Sequence, residues 1–273
     1  MPIITISREM GTGAYAIAKE VAKRLKYTLV DGQRIAEMAA HYGLNSDLLE
    51  RVDEKPPVYS TAEDRLHAAH LNTIELMLLD FAKKGNVILY GRGGQDLLPG
   101  LRNVLRLRFV APFDDRVENL AEREWMDPDL ARELVRKSDH QRGGFIHFYF
   151  NRDWRDPLGY DVTFNSSRMS AAAMVESIVA AVRDPKLKAA EEEAQELLDD
   201  IILTKRIETE LLRSDAIENL HFRITVQQGK VALSGHVHSE KERRIALAIT
   251  DKIEGVERVV DGLQVVSLKP YRD

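Results

Sequence analysis

The run Ser7-Arg8-Glu9-Met10-Gly11-Thr12-Gly13-Ala14-Tyr15 follows the apolar stretch Ile3 to Ile6 and precedes Ile17, Val21 and Leu25, which recur at helical spacing. Strand, glycine turn and helix in that order put backbone N–H groups and a helix N-terminus where an anion can sit. Glycines at 11 and 13 let the main chain curl around a phosphate. The common phosphate-loop signature continues with Lys and Ser/Thr directly after its last glycine. The lysine neutralises the transferred phosphoryl group and the hydroxyl holds magnesium. Here those two positions are Ala14 and Tyr15. On its own, such a glycine pattern marks a tight strand-to-helix turn as readily as a ligand site.

Other side chains suit the same chemistry. Arg92, in Gly91-Arg92-Gly93, follows the apolar run Val87 to Tyr90, and ligands gather at the carboxyl ends of parallel strands. Its planar guanidinium can hold a phosphate through two parallel hydrogen bonds, or pair with a carboxylate for structure alone. Asp31, after Thr28 to Val30, stands either at the edge of a ligand pocket or at the cap of the next helix. Arg142, Arg152 and Arg155 lie among Phe145, Phe148, Tyr149 and Trp154. That mixture suits a nucleotide lid, a domain contact or a nucleic-acid patch. His67 and His70, one helical turn apart with Glu63 before them, suit a metal or a partly buried helix face, and the helix face is the expected reading; His236 and His238 share a strand face without a third ligand nearby, so no metal site is expected.

These residues need elements to position them. The chain opens as β-α-β, continues with a long helical pattern from Ala62 to Lys84 that stops at Gly85-Asn86, and returns as the strand Val87 to Tyr90. Further strands are expected at Leu105 to Val110 and Asp161 to Asn165. Helices are expected at Asp114 to Trp125, Pro128 to Lys137 and Ala171 to Val182, with the basic, aromatic segment His140 to Arg155 between them. The result is an α/β parallel sheet with helices on both faces. Composition shifts after Arg183: Asp184-Pro185 breaks the pattern, and KLKAAEEEAQELLDD reads as an exposed helical connector. The expected division is therefore 1–183, an acidic linker at 184–198, and 199–273. The last part reads as helix (Ile201 to Arg213), strand, Gln228-Gly229 turn, strand, helix, and a strand from Val256 to Val266 interrupted at Gly262. It forms a small α+β unit of about 70 residues.

With 273 residues, 44% of them hydrophobic and 30% charged, the chain can fill one large core or two ordinary ones and is not a disordered polymer. It contains no cysteine, which removes disulfide frameworks, thiolate metal sites and thiol nucleophiles. No run reaches the roughly 18 apolar residues of a membrane span, and the start MPIITISREM lacks the pattern of a signal peptide, so a cytoplasmic location is expected. A net charge of -5 argues against nucleic acid as the main partner.

The strings ITISREMGTGAYAIAKEVAKRL, LVDGQRI, VILYGRGGQDLL and SDHQRGGFIHFYFNRDWRDPLGYDVTFNSSRMS, in this order, resemble the cytidylate kinase-like family, a branch of the nucleoside monophosphate kinases. That branch shows a Gly-Ser-Gly-Gly-Arg loop, so Ala14 stands for a glycine and Tyr15 for the arginine. The resemblance implies a P-loop nucleotide kinase-like domain in which Gly11, Thr12 and Gly13 cradle the nucleotide phosphates. Asp31 would open the acceptor pocket, Arg92 would clasp the acceptor phosphate with Gly93 in place of the usual aspartate, and Asp139 and Arg142 would belong to a lid in which His140 replaces a second arginine. Arg8, Arg92 and Arg142 would supply the catalytic positive charge, with ATP and magnesium as cofactors. The implied reaction is transfer of the ATP γ-phosphoryl group to a pyrimidine monophosphate. The alternative is a non-catalytic nucleotide or phosphate sensor, and a third reading is a scaffold with a vestigial loop. Residues from about 199 to 268, with VQQGKVALSGHV, SEKERRIALAI and IEGVERVVDGLQV, are similar to the BON domain. This implies binding of a membrane, a hydrophobic ligand or a partner protein; no acid, base and nucleophile cluster within it.

Overall fold

A computed structural model describes residues 2–44, 62–217 and 222–266. The chain runs through β1 (Ile3–Arg8), α1 (Ala14–Leu25), β2 (Thr28–Val30), α2 (Gly32–Ala39), α3 (Ala62–Lys84), β3 (Val87–Tyr90) and β4 (Val104–Val110). It continues with α4 (Phe113–Glu124), α5 (Pro128–Phe150), β5 (Val162–Asn165), α6 (Ala171–Ala181), α7 (Pro185–Ala189) and α8 (Glu191–Arg213). Last come β6 (Phe222–Gln227), β7 (Lys230–Val237), α9 (Glu240–Asp251) and β8 (Arg258–Val265). No helix among the described residues is long and apolar enough to cross a membrane.

The chain divides into two compact units, one of residues 1–58 and 80–194, the other of residues 59–79 and 195–273. In the first, five parallel strands lie in the order β2-β3-β1-β4-β5. The α/β parallel sheet expected from the alternating apolar runs is present. Ile4 and Ile6 of β1 share a face with Leu105, Leu107 and Phe109, and that face packs on Ile17 and Val21 of α1 and on Val175 and Ile178 of α6. Strand alternation sends the intervening residues Thr5, Ser7, Arg106 and Arg108 to the opposite face. From β1 the chain turns toward β2, and only after β3 does it cross to β4. The carboxyl end of β1 is therefore the point where strand order reverses, and a crevice opens there in such sheets.

Some elements depart from the sequence expectation. Helix α5 does not end at Lys137 but runs to Phe150, taking in most of the segment from His140 to Arg155. Gly143 and Gly144 cost about 1 kcal/mol each in a helix interior. Burial of Phe145 and Ile146 directly after them offsets that cost. The helix ends at Asn151 in the left-handed conformation.

In the second unit β6 and β7 form an antiparallel hairpin, whose turn residues Gln228 and Gly229 both have positive φ. Strand β8 returns through α9 to pair parallel with β7. The interruption expected at Gly262 does not occur: Gly262 pairs with Ser234, and a Cβ there would stand 3.3 Å from the Leu233 carbonyl oxygen, so glycine permits a close backbone approach within a continuous strand. Helix α8 starts inside the acidic connector and runs unbroken to Arg213, placing Leu203, Ile207 and Leu211 in a core with Val231, Leu233 and Ala246. The α3 residues of this unit join by charge: Lys205 Nζ lies 2.8 Å from Glu75 Oε2 and 2.8 Å from Glu208 Oε2. Burial lowers the Lys205 pKa, but the two carboxylates outweigh it and hold the ammonium above the ordinary lysine range. For Glu75 burial prevails over the pull of Lys205, and the carboxyl sits above its usual range.

Candidate functional site

The turn between β1 and α1 is shaped by two glycines used differently. Gly11 has φ 87°, and a Cβ there would meet the Arg116 carbonyl oxygen at 2.2 Å. Gly13 caps α1 at φ 70° and ψ 7° with open space where its Cβ would be, so it supplies conformation alone. Thr12 Oγ1 donates to the Glu9 carbonyl at 2.8 Å. The first N–H groups of α1 have no partner within the helix and carry the positive end of its dipole.

Beneath the loop lies a buried ion network. Glu9 pairs with Arg108 at 3.2 Å and with Arg116 at 3.4 Å. Arg116 makes a bidentate contact to Asp139 at 3.1 and 2.9 Å and also donates to the Met10 carbonyl at 3.2 Å. Asn119 Nδ2 donates to the Gly11 carbonyl at 3.3 Å. A trans peptide sets its N–H opposite its C=O. Holding the carbonyls of Met10 and Gly11 toward Arg116 and Asn119 therefore turns the N–H groups of Gly11 and Thr12 the other way. On the neighbouring strand position, Ser7 Oγ accepts from Trp154 Nε1 at 2.8 Å, and the Trp154 carbonyl accepts from Arg108 at 2.7 Å.

Above the loop is a cleft of about 430 Å³, lined by residues 8–16 with Tyr90, Arg123, Glu124 and Arg142. Three arginines, Arg8, Arg123 and Arg142, thus line one cleft with the glycine turn. Arg8 lies over the Tyr90 ring, 4.5 Å from its centroid, and Arg142 donates to Ser138 Oγ at 2.7 Å. Arg123 pairs with Glu124 at 2.8 Å. A smaller recess adjoins, lined by Arg92, Gly91, Gly93 and Trp154, and Arg8 and Arg142 line it as well.

The structure thus brings Arg8, Gly11, Thr12, Gly13 and Arg142 to one cleft and Arg92 to the recess beside it. Asp31 caps α2, accepting from the Arg34 N–H at 2.9 Å, and its other oxygen accepts from the Tyr15 hydroxyl at 2.7 Å. That hydrogen bond raises the Tyr15 pKa. Asp139 lies under the loop on Arg116 and does not line the cleft. Of the histidine and acid candidates on α3, the side chains of Glu63 and His67 lie outside the described residues. Glu9, Arg108, Arg116 and Arg123 are candidate site residues that sequence reasoning missed.

The donor set fits a polyphosphate: peptide N–H groups, a helix N-terminus and guanidinium groups around one cavity. It does not fit magnesium in the same way. The position after Ala14, where the common signature places its magnesium-binding hydroxyl, carries a phenol bonded to Asp31.

Comparison with known proteins shows the family. Residues 3–168 match the model of the cytidylate kinase-like family, and residues 199–267 match the BON domain. The chain is 27% identical over 188 residues to the cytidylate kinase of Methanocaldococcus jannaschii, covering 67% of this chain and 99% of that protein. It is 30% identical over 175 residues to the cytidylate kinase of Methanothermobacter thermautotrophicus, covering 63% of this chain and 99% of that protein. An uncharacterized protein from Eubacterium ventriosum has a similar fold, with a TM-score of 0.52 and 23% identity over 66% of this chain and 97% of its own. The chain belongs to the cytidylate kinase-like family and carries a BON domain after its kinase-like domain.

Proposed function

We propose that this member of the cytidylate kinase-like family transfers the γ-phosphoryl group of ATP to a pyrimidine nucleoside monophosphate. The observation that carries the reading is that Arg8 and Arg142 line both the loop cleft and the Arg92 recess. Donor phosphates in the cleft and an acceptor phosphate on Arg92 would meet between those two guanidinium groups. Phosphoryl transfer asks the protein for positioning and charge neutralisation more than for covalent chemistry. Fixed guanidinium groups can supply in that place what a loop lysine supplies elsewhere. An acceptor phosphate oxygen attacks the γ-phosphorus, the bond from it to the β,γ-bridging oxygen breaks, and ADP leaves. The pyrimidine acceptor is taken from the cytidylate kinases that the chain resembles, and a nucleotide substrate suits a cytoplasmic site of action.

A coupled ADP-release assay with CMP, dCMP, UMP, AMP and GMP, each with ATP and magnesium, tests the reading. Turnover is expected with the pyrimidine nucleotides. Absence of turnover with all of them, alongside retained nucleotide binding, favours a second reading. In that reading the domain is a non-catalytic nucleotide or phosphate sensor whose BON domain engages a protein or a hydrophobic ligand. The Tyr15 to Asp31 hydrogen bond supports it, because it ties together the side chains at the magnesium-hydroxyl position and at the edge of the acceptor pocket.

A further inference from the structure

Strand β1 sends Ile4, Ile6 and Arg8 to one face of the sheet, and in β3 Ile88 and Tyr90 lie beside Ile4 and Ile6 on that face. The three isoleucines belong to the core under α1, and Tyr90 packs against it. Arg8 stands next after Ile6 in this row, at the carboxyl end of β1, and its guanidinium carbon is 4.5 Å from the centroid of the Tyr90 ring. Tyr15, in the first turn of α1, meets the same ring edge-on, with centroids 5.5 Å apart and planes at 69°. Its hydroxyl donates to Asp31, the residue that follows β2, at 2.7 Å. Carboxylate, phenol, phenol and guanidinium thus form one continuous row across the carboxyl ends of β2, β3 and β1. Arg8, Tyr15 and Tyr90 all line the loop cleft, and Arg8 lines the Arg92 recess as well.

We propose that Tyr90 is a positioning residue, which holds Arg8 between donor and acceptor phosphates in the role of the absent loop lysine, while Tyr15, anchored on Asp31, braces the Tyr90 ring. An arginine has more rotamer freedom to lose than almost any other side chain. One that is ordered before the ligand arrives loses less of it on binding. A cation held on a ring face spends no N–H donor on that contact, which leaves the planar fork for phosphate oxygens. The residue after Ala14 then has a physical reason to be tyrosine: its ring supports Tyr90 while its hydroxyl reaches Asp31, two contacts that a serine or threonine could not make at once. The proposal rests on the nucleotide reading of the cleft and names what fixes its cation.

The test is a double-mutant cycle in the full chain, read as kcat and KM for CMP with ATP and magnesium and as tripolyphosphate affinity by calorimetry, with circular dichroism to check folding. Tyr90→Leu removes the ring, Tyr90→Phe keeps it, and Arg8→Met removes the cation. The expected result is a loss of about tenfold in kcat for Tyr90→Leu, with smaller changes in both KM values and most of kcat retained by Tyr90→Phe. Tyr90→Leu placed on Arg8→Met should cost almost nothing more, because a residue that acts through Arg8 then has nothing left to position. Tyr15→Phe, which removes only the hydroxyl bonded to Asp31, should give a loss of about threefold that also vanishes on Arg8→Met. Equal losses in both backgrounds, for Tyr90→Leu or, should that variant not fold, for Tyr15→Phe, would overturn the positioning role, as would no loss in the natural background. If the natural protein binds tripolyphosphate without turnover, the cycle is read in affinity, where the same non-additive loss is expected and additive losses overturn the role. A natural protein that binds neither ATP nor tripolyphosphate would overturn the nucleotide reading itself, and the role would fall with it.

Discussion

Each compact unit buries a cluster of charges, and the two clusters do different things. Under the β1-to-α1 loop, Arg108 and Arg116 bind not only Glu9 and Asp139 but also main-chain carbonyls, those of Trp154 and Met10. Their guanidinium groups thereby set the direction of peptide planes, and the loop's N–H groups turn away from them. In the other unit Lys205 bridges carboxylates on α3 and α8 and fixes two helices. A buried ion pair by itself is weak evidence even for stability. What separates a candidate site from a structural pair is the coupling of charge to the backbone of a glycine turn.

Breaking each cluster in turn tests that distinction. Arg116→Met leaves Glu9 and Asp139 short of a buried partner and frees the Met10 carbonyl. It should cost the first unit about 3–5 kcal/mol in urea unfolding, and in protein still folded it should weaken tripolyphosphate binding. Undiminished binding by the folded variant would show that the network does not set the loop.

Lys205→Met should cost the second unit about 3 kcal/mol, near the lower end of that range because the lysine is 20% exposed, and should leave tripolyphosphate affinity unchanged. The double variant Glu75→Leu with Lys205→Met should recover most of the loss. The pH dependence has a definite sign. The Lys205 pKa is raised in the folded state, so its contribution is complete below the ordinary lysine value of about 10.4 and is lost as pH rises through the higher folded value. Unfolding curves across the alkaline range should show this loss in the natural protein and less of it in Lys205→Met. The boundary proposed at 184–198 can be examined in the same unit. Fragment 199–273 lacks Glu75 and should unfold cooperatively but at a lower urea midpoint than the unit in the full chain; absence of a cooperative transition would make residues 59–79 part of its core.

Arg92→Lys should weaken nucleoside monophosphate binding by on the order of 1–3 kcal/mol, with little change for ATP, because a lysine cannot reproduce two parallel hydrogen bonds. Separate calorimetric titrations decide it, and equal losses for both ligands would make Arg92 a structural residue. The smallest effect is expected at Gly13: Ala meets no atom there and pays only the left-handed conformation, about 1 kcal/mol of unfolding free energy. Gly11→Ala should cost visibly more by the same measurement, since its Cβ would collide with main chain.

The sheet was legible because its strands are short apolar runs such as Ile3 to Ile6 and Val87 to Tyr90, each closed by a turn or helix signal. The glycine loop and Arg92 were legible because such sheets put ligands at the carboxyl ends of their strands. The ion network was not, because Glu9 and Arg108 stand 99 positions apart and sequence spacing says nothing about pairs formed across a sheet. One signal was present: Arg106 and Arg108 alternate with Leu105, Leu107 and Phe109 inside an otherwise apolar strand. Arginines within such a run must find buried partners. The course of α5 through Gly143 and Gly144 was hidden for the opposite reason, since tertiary burial of Phe145 and Ile146 overrode a local propensity that reads as a break.

The grouping of residues 59–79 with 195–273 has a consequence in time. A ribosome delivers Glu75 long before Lys205, and at about 5–20 residues per second the interval is on the order of ten seconds. Through that interval the α3 residues of the second unit lack the partners that will cover them, while the strands from β3 to β5 have already been made. The two units therefore cannot mature strictly in chain order: the earlier one can close first, but the later one must take back a piece of chain synthesised before most of the other. Any nascent chain halted before α8 leaves the carboxylate of Glu75 without the lysine that pairs with it in the finished protein.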